Sequence, residues 1–244
     1  MNRIPVVAVV GPTASGKSDL AVEICRRFGG EVVSADSMQI YRRMDIATAK
    51  PTEKEKKGIP HHMMDFLENT EPYSVALYQE AAQKCIAEIR AAGKLPVVVG
   101  GTGLYIDTLL NNVKLSEESY DKELRRSLLK RAEEEGTEKL IEEVREFDPD
   151  YAEKLHPNNV KRIVRALEVW KTCGVTMTEQ IALSKRESPY DVCYIGLDAE
   201  DRQVLYDRID RRVDIMLERG LEEEARGYLS HSNETTSAQA IGYK

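Results

Sequence analysis

The sequence predicts an α/β fold in which helices cover both faces of a parallel sheet. Short runs of β-branched residues without polar alternation predict strands at 6–10, 31–34 and 95–99, because strands buried on both faces read as continuous apolar runs. Helix-like segments alternate with these strands, at 17–28 and at 74–92, where apolar residues recur at helical spacing before a stop at Gly93. This alternation is typical of a sheet with helical crossovers.

The alternation of predicted strands and helices stops partway along the chain, which indicates a second structural part. From 114 to 190 charged helical sequence replaces the alternation, and a strand-like segment returns at 191–197. Because a sheet can be interrupted between two strands without losing its pairing, we interpret 1–113 and 191–244 as two parts of one core and 114–190 as an inserted helical subdomain. The stretch 114–153 carries 8 basic and 14 acidic residues, whereas 154–187 carries 7 basic and 3 acidic residues. A last helix is predicted over 202–228, with buried positions at Leu205, Ile209, Val213, Ile215, Met216 and Leu221.

Composition excludes several classes of protein. The 244 residues are 41% hydrophobic and 32% charged, which is typical of a globular chain and not of a disordered or fibrous one. The apolar stretch 4–10 is interrupted by Pro5 and runs into glycine-rich sequence, so we expect a cytoplasmic protein without a signal peptide or membrane span. We also expect a monomer. Four widely spaced cysteines without zinc-ligand spacing predict reduced, mostly buried thiols. With a net charge of -7, the chain would need a local basic surface to bind nucleic acid.

A phosphate-binding loop follows the first predicted strand. Residues 11–18, Gly-Pro-Thr-Ala-Ser-Gly-Lys-Ser, fit the pattern G-x-x-x-x-G-K-[ST] at the mouth of a helix. The glycines let backbone N–H groups point into a concavity, Lys17 supplies a mobile charge, and Ser18 can ligate Mg²⁺. The alternative, a glycine-bearing turn with an incidental lysine, is disfavoured by the flanking strand and helix. The pattern predicts a P-loop NTPase-like core that binds an oligophosphate, without saying which one.

The acidic residue that usually accompanies such a loop is missing from its expected place. P-loop enzymes that transfer or hydrolyse a phosphoryl group normally carry a carboxylate after a later strand, but the strand at 95–99 runs into Gly100-Gly101-Thr102-Gly103. The nearest acid is Asp36, just beyond the second strand. Because the carboxyl ends of parallel strands share one edge of a sheet, we expect Asp36 to face the loop. On spacing alone, Asp36 could equally cap a turn.

Further motifs follow the phosphate loop along the chain, at 36–41, 44–51, 60–62, 99–105, 156–158, 162–168 and 240–243. Together they resemble the tRNA dimethylallyltransferases, also called tRNA isopentenyltransferases, in that family's order across essentially the whole chain. The resemblance implies transfer of a dimethylallyl group from dimethylallyl diphosphate to N6 of the adenosine next to the anticodon, position 37 of tRNA, with release of diphosphate. A phosphate loop without the later acid suits an enzyme that holds a diphosphate leaving group.

The resemblance also assigns roles to residues. Asp36 is implied as the base that takes a proton from the adenine amino group, which is a poor nucleophile. Charge accumulates on the diphosphate as it leaves, so preorganised cations should dominate catalysis, with help from Thr102 and Arg212. Spacing alone would make Arg208 and Arg212 a solvated, salt-bridged face. The positions expected to hold the diphosphate are Gly11, Thr13, Ala14, Ser15, Gly16, Lys17 and Ser18, together with Arg208 and with Mg²⁺ at Ser18.

The expected tRNA contacts lie in several segments. A charge run is usually a solvated face, but the resemblance favours phosphate contacts from the basic half of the helical insertion, which would grip the anticodon stem. The flipped adenosine is assigned to 36–39. Members of the family normally run some tens of residues past residue 244. The full expected set is Asp36, Ser37, Met38, Gln39, Thr102, Lys161, Arg162, Ile163, Val164, Arg165, Gln239, Ala240, Ile241, Gly242, Tyr243 and Lys244.

Two other functions are compatible with the same residues. A P-loop small-molecule kinase would use the loop for ATP and the inserted helices as its lid, and a nucleotide-gated RNA-binding module would bind without catalysis. The pair His61–His62 is interpreted as structural or as part of the surface, because adjacent histidines point apart and no third ligand is evident. Trp170 and Tyr105 are interpreted as core residues.

Overall fold

The computed structural model describes residues 3–115, 121–229 and 240. Its strands are β1 (Ile4–Val10), β2 (Gly30–Ser34), β3 (His61–His62), β4 (Leu95–Val99) and β5 (Tyr190–Gly196). Its helices are α1 (Lys17–Phe28), α2 (Glu53–Lys56), α3 (Val75–Ala91), α4 (Gly103–Leu110), α5 (Lys122–Glu135), α6 (Thr137–Phe147), α7 (Pro149–Ala152), α8 (Val160–Cys173), α9 (Met177–Ser184), α10 (Arg202–Glu218) and α11 (Leu221–Leu229). Two compact units result, a first unit of 1–112 with 187–244 and a second unit of 113–186.

The first unit contains a five-stranded sheet in the order β3-β2-β4-β1-β5, with every neighbouring pair parallel. Strand β4 lies between β1 and β2, and Val97 is in register with Val7 on one side and Val32 on the other. The predicted α/β fold is therefore confirmed. Since all the strands point the same way, the segments that leave β1, β2 and β4 emerge at one edge of the sheet.

Alternating strand residues build two apolar layers. On one face Val9, Val32 and Val97 are buried together with Ala21 and Ile24 of α1. The opposite face, which α3 and α4 cover, buries another set with the central strands: Ala8, Val33, Val98, Tyr78, Ile86 and Leu109. Tyr105 stacks on Tyr78 in this layer at a centroid distance of 4.0 Å, so Tyr105 is a core residue. The result is a rigid sheet that fixes the loops at its carboxyl edge.

The end of the first unit differs from the prediction. A single helix over 202–228 was expected, but Gly220 takes φ +93° and separates α10 from α11. This left-handed conformation suits glycine and ends a helix. No residue of α10 is fully buried, and Val213 and Ile215 are both 44% exposed, so their assignment to the core was wrong. Apolar and charged residues are mixed around this helix, which leaves it without one continuous apolar face.

The second unit consists of α5 to α9 around its own core. Leu128, Leu140, Val144, Ile163 and Leu167 are all buried there. At its edge, Trp170 stacks on Phe147 with ring centroids 4.7 Å apart but remains 38% exposed. Trp170 therefore packs as predicted, but at the surface edge of this core and not inside it.

The structure tests the predictions about membrane-spanning helices and about the cysteines. Among the described residues, no helix combines the length and the apolar character needed to cross a membrane. The four cysteines are free, with Cys25 and Cys85 buried but Cys173 and Cys193 exposed. The expectation of mostly buried thiols was therefore wrong for two of them, which lie on the outer surface of α8 and β5.

Candidate active site

The conformation of the phosphate loop depends on two of its glycines. Gly11 has φ +149°, and a Cβ atom there would lie 2.3 Å from the carbonyl oxygen of Leu197. Gly16 has φ +88° and is the N-cap residue of α1. Residues that carry a side chain rarely adopt such backbone angles. The loop can therefore pass close to the end of β5 and turn directly into α1.

Donor groups of this loop are available to an anion. Gly16, the N-cap residue of α1, has no side chain that could cap the helix, so N–H groups and the helix dipole create a positive potential at this end. The hydroxyl of Ser15 is buried and has no hydrogen-bond partner among the described residues. Lys17 donates from Nζ to the carbonyl oxygen of Pro12, which holds the ammonium over the loop. Such a set of donors matches the oxygen atoms of a phosphate.

Two cavities border the loop. The large cavity has a volume of ≈ 410 Å³ and is lined by the loop, by residues from the segment 46–51 and by one face of α10. The small cavity, of ≈ 110 Å³, is lined by Asp36 and by the glycines that follow β4. Lys17, Ser18 and Arg212 line both cavities, so the two adjoin. The structure thus brings the predicted carboxylate, cations and hydroxyl to one place.

Positive charge exceeds negative charge among Lys17, Arg212 and Asp36 at the small cavity. Burial is the main cause that lowers the pKa of Lys17, the nearby Arg212 lowers it further, and Asp36 opposes both. Burial also lowers the pKa of Arg212, again against the effect of Asp36. Two cations therefore share one carboxylate in a partly buried position. A polyanion bound here would stabilise both cations, because a nearby opposite charge favours the charged form.

Asp36 both caps a turn and faces the small cavity. Its Oδ1 accepts hydrogen bonds from the N–H groups of Met38, at 2.8 Å, and Gln39, at 3.3 Å. The same side chain lines the small cavity. Among the described residues, Oδ2 accepts no hydrogen bond. One oxygen therefore fixes the carboxylate, and the other can contact a ligand.

The end of β4 is packed tightly against this turn. A Cβ atom on Gly100 would lie 2.1 Å from the carbonyl oxygen of Ala35, so glycine is required for the close approach. The N–H of Thr102 donates to the same carbonyl at 3.2 Å, and its Oγ1 accepts from the N–H of Ser37 at 3.1 Å. Thr102 lines neither cavity. The geometry therefore gives Thr102 a contact with the Asp36 turn, and its expected catalytic and tRNA-binding roles stay predictions.

The other residues of the 36–39 segment are held by the protein itself. The side chain of Gln39 donates from Nε2 to the carbonyl oxygen of Thr48 at 3.1 Å and accepts from the hydroxyl of Ser34 at 3.0 Å. Met38 packs against a buried cluster that includes Tyr41. Gln39 still lines the small cavity, so its amide forms part of a fixed wall.

Arginines of α10 line the large cavity. Arg212 reaches both cavities, whereas Arg208 is exposed and reaches only the large one. Sequence reasoning missed Arg211 and Arg219, which line the same cavity. Positions 208, 211, 212, 215 and 219 recur at a spacing of three or four, and this periodicity could have identified the whole face.

One histidine of the 61–62 pair was also missed. His61 lines the small cavity, while its Nδ1 lies 2.8 Å from the carbonyl oxygen of Ile59, and burial lowers its pKa. His62 has the structural role that was expected, with Nε2 at 2.6 Å from the Oε2 of Glu31. In the described ranges, no three side chains of His, Cys, Asp and Glu cluster in a way that could hold a metal ion.

The basic segment of α8 divides into an outer and an inner set. Lys161 and Arg162 are exposed, and Arg165 is partly buried with its guanidinium 3.8 Å from the buried carboxylate of Glu168. Ile163 and Val164 are 0% exposed in the core of the second unit, so a contact of these two residues with RNA would have to come from their backbone, and that assignment stays a prediction. A stripe of core residues on an amphipathic helix explains their burial.

The predicted contacts at the C-terminus are described only in part. Ala240 is buried against the cluster of Ile40, Tyr41 and Met44. The side chain of Ala240 is therefore a packing residue in the first unit. The remaining residues of that prediction lie outside the described part of the chain: Gln239, Ile241, Gly242, Tyr243 and Lys244.

Comparison with known proteins identifies the family. The family model described as IPP transferase matches residues 39–244. The chain is 50% identical to the tRNA dimethylallyltransferase of Oceanobacillus iheyensis over 98% of this chain and 76% of the relative, and 48% identical to that of Bacillus cytotoxicus over 100% and 77%.

Solved structures agree with this result. The full-length tRNA isopentenylpyrophosphate transferase of Bacillus halodurans has a TM-score of 0.69 and 43% identity, covering 98% of this chain and 75% of that one. A eukaryotic dimethylallyltransferase acting on tRNA has a TM-score of 0.77 and 34% identity, covering 96% and 58%. With its phosphate loop, its Asp36 turn and these relatives, the chain belongs to the IPP transferase family of tRNA dimethylallyltransferases.

Proposed function

We propose that this chain transfers a dimethylallyl group from dimethylallyl diphosphate to N6 of adenosine 37 in tRNA and releases diphosphate. The observation that carries the proposal is the small cavity, where Asp36 faces Lys17, Ser18 and Arg212 at the carboxyl edge of the sheet. A carboxylate beside an oligophosphate cradle provides a base and a leaving-group site within one enclosure. We also propose that the enzyme works as a cytoplasmic monomer.

The reaction follows from these positions. The lone pair of N6 attacks the allylic carbon, a C–N bond forms, and the C–O bond to the diphosphate breaks with its electron pair leaving on oxygen. The proton of N6 passes to the carboxylate of Asp36, whose Oδ1 is already fixed by two N–H groups. Lys17 and Arg212 stabilise the charge that develops on the diphosphate.

The donor set of the small cavity fits Mg²⁺. This ion takes oxygen ligands, usually one or two from the protein together with phosphate oxygens and water. The hydroxyl of Ser18 lines both cavities and would hold the ion, and Asp36 is the one carboxylate among the described residues that line the small cavity. When bound, Mg²⁺ would neutralise charge on the diphosphate oxygens.

The proposed contacts with tRNA fall into two classes. The turn at 36–39 would receive the adenosine, which must leave its stack to reach Asp36. Lys161 and Arg162 on α8, with Arg165 beside them, would contact phosphates of the anticodon stem. The first class would decide where the reaction occurs, and the second would supply salt-dependent affinity.

One assay tests the proposal against its rivals. The protein is incubated with unmodified tRNA and Mg²⁺, with either labelled dimethylallyl diphosphate or labelled ATP. We expect label from the prenyl donor on the tRNA, and none on a matched tRNA that carries guanosine at position 37. Release of ADP without prenyl transfer would instead support a kinase, and retention of tRNA with neither product would support a binding module.

A further inference from the structure

We propose that Glu224 is a positioning residue that latches the segment 45–50 to the helical pair α10–α11 and so sets the width of the large cavity. The inference rests on the proposed function, because the large cavity shares Lys17, Ser18 and Arg212 with the small cavity and would receive part of the prenyl donor. Glu224 lies outside every motif that pointed to the family, and it lines neither cavity.

The latch consists of one carboxylate and three successive backbone N–H groups. Oε2 of Glu224 accepts from Asp45 and from Ile46, both at 2.9 Å. Oε1 accepts from Ile46 at 3.0 Å and from Ala47 at 3.2 Å. Hydrogen bonds to an ionised acceptor are stronger than neutral ones, and both oxygens are used here. The contact therefore holds the backbone of this segment without depending on its side chains.

The segment that Glu224 holds is one wall of the large cavity. Ile46, Ala49 and Lys50 all line that cavity. The ammonium of Lys50 is buried and bonds to the carboxylates of Asp45, at 2.7 Å, and Asp65, which makes the segment stiff. Lys50 and Gln39 hold the end of the segment and Glu224 holds its start, so the position of Ile46 depends on the latch.

The helical pair that carries Glu224 provides the opposite wall. Arg208, Arg212 and Arg219 line the large cavity from α10 and its C-terminal end. Helix α11 begins after only Arg219 and Gly220, and α10 and α11 contact each other. Glu224 therefore joins the wall that carries the arginines to the wall that carries Ile46. Releasing this contact would let the two walls separate.

A second connection leads from the latch to the small cavity. The carbonyl oxygens of Thr48 and Ala49 both accept from Nε2 of Gln39, at 3.1 and 3.4 Å. Gln39 in turn donates its backbone N–H to Oδ1 of Asp36. A shift of the latched segment would therefore also disturb the hydrogen bonds that support Asp36. We expect this second effect to be smaller than the widening of the large cavity.

Steady-state kinetics of Glu224→Gln test the latch. The amide keeps the volume of the side chain and one acceptor oxygen, but it loses the charge and turns an NH₂ donor towards backbone N–H donors, so the attachment between the two walls is weakened. We expect KM for dimethylallyl diphosphate to rise roughly tenfold, with kcat within about threefold of wild type and KM for tRNA within about twofold. The control is Glu223→Gln, which removes an exposed carboxylate from the same helix and should leave all three constants unchanged.

A second measurement uses the wild-type protein and needs no variant. Asp45 is exposed and Ile46 and Ala47 are only partly buried, so slow amide hydrogen exchange there requires the hydrogen bonds to Glu224. We expect these three amides to exchange at least about 100-fold slower than in an unstructured peptide. Exchange at the unstructured rate would overturn the proposal, as would a Glu224→Gln variant with an unchanged donor KM. Equal losses in every constant together with a lowered melting temperature would also overturn it, because they would mark a merely structural role.

Failure of the latch and failure of the proposed function give different results. If the wild-type protein transfers no prenyl group, the proposed function fails, whatever Glu224 does. The latch is then judged by calorimetric titration with inorganic diphosphate, for which Glu224→Gln should bind roughly tenfold more weakly than wild type and Glu223→Gln should not. If Glu224→Gln bound inorganic diphosphate as tightly as wild type does, the proposed role of Glu224 would be contradicted.

Discussion

The small cavity and the outer face of α8 both carry cations, but the protein holds these cations in different ways. Lys17 and Arg212 are partly buried, and burial lowers the pKa of each while Asp36 opposes the change. Lys161 and Arg162 stand exposed on a helix whose other face is core. Lys17 and Arg212 are therefore suited to bind one anion in a fixed position. Lys161 and Arg162 are suited to contact the phosphates of a mobile polyanionic backbone.

The two regions should therefore respond differently to mutation. A charge that is fixed beside the reacting atoms acts on the rate of the chemical step, because its stabilisation is largest in the transition state. A solvated charge acts on affinity and on its dependence on salt. Three substitutions, taken from the largest expected effect to the smallest, measure this contrast.

The largest effect is expected at the base. Asp36→Asn keeps an oxygen acceptor for the turn but cannot take a proton, so the rate of prenyl transfer should fall about 10²- to 10⁴-fold. Affinity for tRNA, measured by filter binding, should change little. The control is Asp191→Asn, an exposed residue of β5. Equal losses in rate and in tRNA affinity would mean that Asp36 acts in binding and not as the base.

A smaller effect is expected from the glycine that lets β4 approach the Asp36 turn. In Gly100→Ala the new Cβ would meet the carbonyl oxygen of Ala35 at 2.1 Å, so the free energy of unfolding in urea should fall by about 1–3 kcal/mol. Gly101→Ala is the matched control, because no heavy atom lies within 4 Å of its added Cβ. If the two variants were equally stable, the close packing of β4 on this turn would be refuted.

The smallest effect is expected on α8. Replacing Lys161 and Arg162 together by alanine should weaken tRNA binding and lower the slope of log affinity against log salt by about 1 for each phosphate that the variant no longer binds. The single-turnover rate at saturating tRNA should stay at the wild-type value. Lys130→Ala, an exposed lysine of α5 in the same unit, is the control. A reduced single-turnover rate would mean that the cations of α8 act on the chemical step as well, which would contradict the distinction between the two regions.

Much of the site was predictable because its signals are local. The strand, loop and helix around 11–18 are encoded in one stretch of sequence, and the place of Asp36 follows from parallel topology alone. The break at Gly220 had a local signal as well, which the apolar spacing of 202–228 concealed. Elements of this kind are decided by neighbours in the sequence.

Other parts were hidden because they depend on distant residues. Glu224 meets Ile46 across 178 positions of sequence, and Gly100 is required by the carbonyl of Ala35 on another strand. His61 enters the small cavity only because the edge strand β3 adds to the sheet beside β2. Such contacts arise from the packing of the whole sheet and leave no periodic trace in the sequence.

The central claim is that Asp36 deprotonates the adenine amine beside a bound diphosphate. A crystal structure of the protein with an anticodon stem–loop RNA and a non-reactive dimethylallyl diphosphate analogue tests it most directly. We predict that N6 of adenosine 37 lies about 2.6–3.2 Å from a carboxylate oxygen of Asp36, with the phosphates in the loop at 11–18. An N6 atom out of reach of Asp36 while the analogue occupies that loop would contradict the account.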